Sequence, residues 1–277
     1  MTPHARCKTA APSLLSHRRL WHDGAVNERV EEIASAVPAD LNALPRLRGF
    51  RLRGLEMTRL ETFVDATFAF AITTLVIAGQ NVPTDVSDLL AAFRNVPAFV
   101  ASTIVLGIFW RGHWLWSRRF GLEDGASIFI SWALLLTILI YIYPMKVVFD
   151  GMWYLLSNRQ FGQPLNIRSA GQARMLFALY AAGFTAISTE ILLLNWRAWR
   201  LREPLRLDAL ERRTTRGELT GWMIPVAIGV LSLVLALTLP VGKIAWSGWV
   251  YFSMAVLVPL HSAVRRRAIA KIPARSS

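Results

Sequence analysis

Six runs of mostly apolar residues, at about 57–83, 96–116, 126–149, 172–195, 219–241 and 244–264, constrain this chain more than any other feature. A helix rises about 1.5 Å per residue, so roughly 17–25 such residues cross the hydrocarbon layer of a bilayer. The connections between the runs alternate in charge. Arginines load the segment before the first run, the connection from the second to the third, that from the fourth to the fifth, and the tail, while the other three connections carry few. Basic flanks stay on the cytoplasmic side. The pattern therefore predicts an all-α, multi-pass protein of the cell membrane, with six transmembrane helices per chain and both termini in the cytoplasm.

Composition agrees, and it narrows the function classes. Hydrophobic residues make up 54% of the chain and only 18% are charged, below an ordinary soluble domain. The formal charge of +13 would suit a nucleic-acid partner, but the arginines sit at the ends of apolar runs, where anionic lipid headgroups lie. The expected partners are thus anionic lipids and no nucleic acid. A single cysteine, Cys7, excludes an intrachain disulfide, and five scattered histidines offer no metal cluster, so neither metal nor cofactor is expected. No Gly-rich phosphate loop, HExxH or Gly-x-Ser-x-Gly is present, which argues against an enzyme.

Residues 1–56 read as a basic cytoplasmic leader, largely flexible, with a short amphipathic helix possible at 27–36. No apolar core follows its early arginines, so a cleavable signal is not expected. Arg46, Arg48, Arg51 and Arg53 read as the basic flank of the first span. Residues 57–267 form the six-helix channel unit, and 268–277 a short basic cytoplasmic tail. A short loop with Asp85, Asp88 and Arg94 follows the first span. Lys146 and Asp150 stand at helical i,i+4 spacing, 151–171 reads as an outer loop, and Glu190 is expected near the inner interface beside a following arginine.

The first run is the most informative. It opens with Arg59 and Glu61 and ends at Gly79, Gln80, Asn81 and Pro83, which are helix-stopping residues. Asp65 falls within its first two turns. A carboxylate there costs about 2.5–3.5 kcal/mol on insertion scales unless it is paired or wetted, so it needs a partner. At about 100° per residue, Thr67, Phe70, Thr73, Thr74 and Ile77 share a sector of about 120°. Asp65 points about 140° away from Phe70. One surface thus combines hydroxyls with bulky apolar groups and suits a narrow pore. The other carries a charged anchor toward neighbouring helices. The plainer alternative is that the threonines bond back to their own helix and Phe70 and Ile77 face lipid.

Arg59-x-x-x-Phe63-Val64-Asp65, followed by Ala-x-Phe-Ala-x-Ala-Ile-Thr, resembles the signature Arg-x-x-x-Phe-Ser-Asp of the endosomal/lysosomal potassium channel family, transmembrane protein 175, and its prokaryotic relatives. Trp110-x-x-His113 resembles the Trp and His with which that family braces its first helix. The resemblance covers the first two spans closely and the remainder in topology. It implies a single-repeat member that assembles as a homotetramer, with first helices lining a pore that conducts potassium or other monovalent cations. The positions that match the family's constrictions are Phe70, Thr74 and Ile77, with Thr67 and Thr73 as polar lining. Arg59, Phe63, Asp65, Trp110 and His113 take the role of scaffold. Val64, Phe70 and Thr74 depart from the family's usual residues. The alternative is a proton-conducting channel or proton-coupled carrier that uses Asp65 and His113.

Overall fold

The structure is a computed structural model that describes Glu31, Ile33 and residues 40–77 and 83–270. The expected helix at 27–36 and the stop residues Gly79, Gln80 and Asn81 fall wholly or mostly outside those positions. Among the described residues, six helices are long and apolar enough to cross a membrane. They are α1 (Arg59–Ile77), α3 (Val96–Phe120), α4 (Gly125–Leu156), α5 (Ala170–Arg200), α6 (Ala209–Thr238) and a sixth span over Trp246–Ile269. The sixth is composite: α7 (Trp246–Trp249), a 3₁₀ turn (Val250–Ser253) and α8 (Met254–Ala270).

Local chemistry sets the ends of these helices. Thr58 and Glu61 cap α1 reciprocally: the Glu61 N–H donates to Thr58 Oγ1, and the Thr58 N–H donates to Glu61 Oε2, each at 3.2 Å. Asp208 and Glu211 form the same box at the start of α6. Gly121, at φ +58°, ends α3 in the left-handed region that favours glycine. Pro144 lies inside α4 without ending it.

Two features differ from the sequence reading. The loop expected after the first span contains a helix, α2 (Val86–Phe93), because Asp85 accepts the Asp88 N–H at 2.8 Å and caps it. The second difference lies in the leader. Its last part forms a hairpin of two short strands, β1 (Arg46–Leu47) and β2 (Phe50–Arg51), turned through Arg48 and Gly49 at positive φ.

The hairpin is tied down by charge rather than left as a loose flank. Arg51 and Arg53 both reach Glu211, which is fully buried: Arg51 Nη2 and Arg53 Nη2 approach Glu211 Oε2 at 2.8 and 2.9 Å. Arg51 Nη2 also meets Asp208 Oδ2 at 3.0 Å. The hydrogen bond to Glu211 raises the Arg51 guanidinium above its ordinary value. Arg118 donates to the Gly54 and Leu55 carbonyls at 3.0 Å each, and so fixes the chain between hairpin and α1.

Two apolar clusters hold the bundle. The larger joins Val64, Phe68, Ala71 and Leu75 of α1 to Leu106 and Phe109 of α3, Leu134, Ile138 and Tyr141 of α4, and Phe184 and Ile187 of α5. The smaller lies at the arginine-rich end, where Phe50, Trp116, Phe120, Leu194 and Leu201 meet and Ile33 packs against them. Lys146 and Asp150 pair at 2.7 Å along α4, as their spacing predicts.

Candidate pore-lining helix

α1 has two faces of different kinds. Glu61, Val64, Thr67, Phe68, Ala71 and Leu75 are buried, and they pack on α3 and α4. The opposite face is exposed on the single chain. Phe70 is 62% exposed and Ile77 67%, seven residues apart and so nearly in line along the helix. Thr73 lies exposed between them, and Thr74 is half-buried at the edge of the face. Phe63 continues the row, its ring 5.1 Å from that of Trp132.

Thr67 departs from the expected stripe. It is only 9% exposed and stands on the packed side. The reason is angular: Thr67 shares its sector edge with Val64, Phe68 and Ala71, and packing of α1 on α3 and α4 covers that edge. The hydroxyls of Thr67, Thr73 and Thr74 each donate to the carbonyl four residues back, at 2.8, 3.0 and 2.9 Å. Each hydroxyl oxygen then keeps its lone pairs for another donor or a cation.

The scaffold residues divide into two groups. Trp110 Nε1 donates to Asp65 Oδ1 at 2.7 Å, which gives the half-buried carboxylate the partner it needs. The Trp110 ring stacks on Trp114. His113 is brought near but not into that contact. It is 2% exposed, and its Nε2 lies 3.1 Å from Ser131 Oγ on α4. Asp65 and His113 are therefore held by different partners, and the relay of the alternative reading has no hydrogen bond between them among the described residues. Arg59 is exposed at the start of α1, and among the described residues no carboxylate pairs with it.

Two acids matter more than the sequence suggested. Glu61 accepts Ser117 Oγ at 2.6 Å as well as capping α1, so one buried carboxylate pins α1 to the end of α3. The Thr58-x-x-Glu61 spacing was the available signal. Among the described residues Glu190 forms no ion pair with an arginine. It accepts Thr137 Oγ1 at 2.8 Å in mid-bundle, because its direction on α5 faces α4 rather than the helix end.

The sequence model of the family described as the endosomal/lysosomal potassium channel TMEM175 matches residues 59–143, which run from α1 into α4. A potassium channel from Marivirga tractuosa is 30% identical over 215 residues, a span of 73% of this chain and 85% of that relative. The crystal structure of a threonine-to-alanine variant of the potassium channel MtTMEM175, in complex with a nanobody–MBP fusion protein, is similar with a TM-score of 0.69 and 28% identity. The match covers 82% of this chain and 100% of that one.

Proposed function

This chain belongs to the TMEM175 potassium-channel family, and from that premise we propose that it conducts potassium passively through a homotetrameric pore lined by four copies of α1. The observation that carries the reading is the two-faced first helix, with Phe70 and Ile77 exposed beside a fully packed opposite face. A single chain leaves that row uncovered, and a ring of four copies around an axis would enclose it. Phe70, Thr74 and Ile77 form the constrictions and Thr73 the polar lining, with Thr67 standing behind them. Rings of Phe70 and Ile77 narrow and dry the path, while Thr74 offers hydroxyl oxygen to a partly dehydrated ion.

Asp65, Trp110, Glu61 and Ser117 hold α1 at a fixed rotation, so the same residues point at the axis in every copy. Arg59, Phe63 and His113 complete this scaffold. In this reading the protein sits in the cell membrane with both termini cytoplasmic, which the arginine-rich connections support.

Purified protein in liposomes carrying a potassium gradient tests the proposal. The gradient should collapse toward the Nernst potential with no second solute, and Ile77→Ala should widen the path and raise flux several-fold. Flux that requires a co-transported solute, or a purified species that is a lone subunit, would overturn it.

A further inference from the structure

A cleft of about 720 Å³ opens between α3, α6 and α8, away from the exposed face of α1. Its walls are apolar: Val105 and Phe109 from α3, Trp222 and Ile224 from α6, Met254 and Val258 from α8. Pro225 and Pro259 face it from both sides, and each removes one backbone N–H from its helix. The end nearer the arginine-rich side is cationic. Four guanidiniums, those of Arg48, Arg111, Arg119 and Arg265, line it with a single carboxylate, Glu218.

That carboxylate is already shared. Glu218 Oε1 accepts Arg119 Nη1 at 2.9 Å and Arg265 Nη1 at 2.8 Å. Arg48 and Arg111 are exposed and have no carboxylate partner among the described residues, and Arg111 lies about two helical turns deeper than Arg119 along α3. The Arg119 side chain is only 9% exposed, yet its Nε has no acceptor among the described residues. A buried guanidinium with an unused donor and two unpaired neighbours calls for an anion. The apolar walls call for a hydrocarbon chain in the same molecule. The cleft also opens sideways onto α8, which presents Val256, Leu257, Leu260 and Val264 to its surroundings.

We propose that this cleft binds an acidic phospholipid, with its phosphate among Arg48, Arg111, Arg119 and Arg265 and an acyl chain along Phe109, Trp222, Met254 and Val258. The site joins the hairpin of the leader, through Arg48, to three membrane helices. It does not depend on where the pore lies, only on the chain being in a bilayer.

The test is lipid retention by the full chain, purified from micelles with equal phosphatidylglycerol and phosphatidylcholine and read by native mass spectrometry. Phosphatidylglycerol should be retained about tenfold over phosphatidylcholine. The double variant Arg48→Gln with Arg111→Gln, which breaks no ion pair among the described residues, should bring the ratio close to one. Val258→Trp, which fills the apolar wall with every charge kept, should lower retention of both lipids. Arg213→Gln, an exposed arginine on α6 outside the cleft, should change nothing. An equal loss in Arg213→Gln would reduce the effect to diffuse charge and overturn the proposal. So would unchanged retention in Val258→Trp, or displacement of the lipid by an equal concentration of glycerophosphoglycerol, which would make this a site for a soluble phosphodiester with no part for the acyl chain. Should the double variant fail to elute as a single species, the Val258→Trp and glycerophosphoglycerol arms still decide.

Discussion

Asp65 and Glu211 are carboxylates in two helices of one bundle, and they are held in opposite ways. Asp65 is half-buried and takes a single hydrogen bond from a neutral indole. Glu211 is fully buried and takes two guanidiniums, the Arg51 N–H and the capping bond from Asp208. The first arrangement sets the rotation of one helix. The second welds a segment 160 residues distant onto the start of another. Net stability from a buried ion pair is small, but removing one partner strands the other in a poor solvent. Sensitivity to mutation should therefore rank Glu211 well above Asp65.

The largest effect is expected for Glu211→Ala, which leaves Arg51 and Arg53 without their shared counter-charge. The loss should be about 3–5 kcal/mol, read as a collapse of the thermal transition in detergent. A melting temperature within a degree or two of the parent would show that the hairpin is not clamped by charge. Next is Gly54→Ala, where the new Cβ would stand 2.5 Å from the Ser117 carbonyl oxygen. Backbone cannot retreat as a side chain can, so a cost of about 1–3 kcal/mol follows, on the same thermal measurement.

On the other side of the contrast, Trp110→Phe removes the donor to Asp65 and should cost about 1–2 kcal/mol. Asp65→Asn keeps an acceptor and should cost less, weakening assembly before it alters ion preference. A double-mutant cycle of Asp65→Ala with Trp110→Phe sharpens the comparison, because a coupling near zero would remove Asp65 from the scaffold. The smallest stability effect is expected for Thr73→Val, within about 0.5 kcal/mol since its hydroxyl serves only its own helix turn. Liposome flux, by contrast, should change. Unaltered flux in this variant would take Thr73 out of the pore lining.

The six spans, the arginine-rich ends and the Lys146–Asp150 pair followed from hydropathy, charge placement and helical spacing, which are local properties. The Asp65 to Trp110 contact was legible through the motif. The helix over 86–93 was missed although Asp85 offered a cap, because eight residues give too little periodicity to outweigh a polar neighbourhood. Glu61, Glu211 and Glu218 were missed as anchors because their partners lie far along the chain.

The sequence alone determined how many times the chain crosses the bilayer and where its charges must stop, since both depend on residues taken in order against a slab of fixed thickness. It did not decide which apolar residues are interior. Phe68 and Phe70 stand two positions apart in one helix, yet one is 3% exposed and the other 62%. In water the apolar residue is the buried one, but in a bilayer the lipid-facing and packed surfaces are both apolar, so hydropathy cannot tell them apart. Only the packing of α1 on α3 and α4 made that choice. The same packing brought Arg51 to Glu211 and four guanidiniums to one cleft, because pairs so distant in sequence exist only once the helices have taken their places.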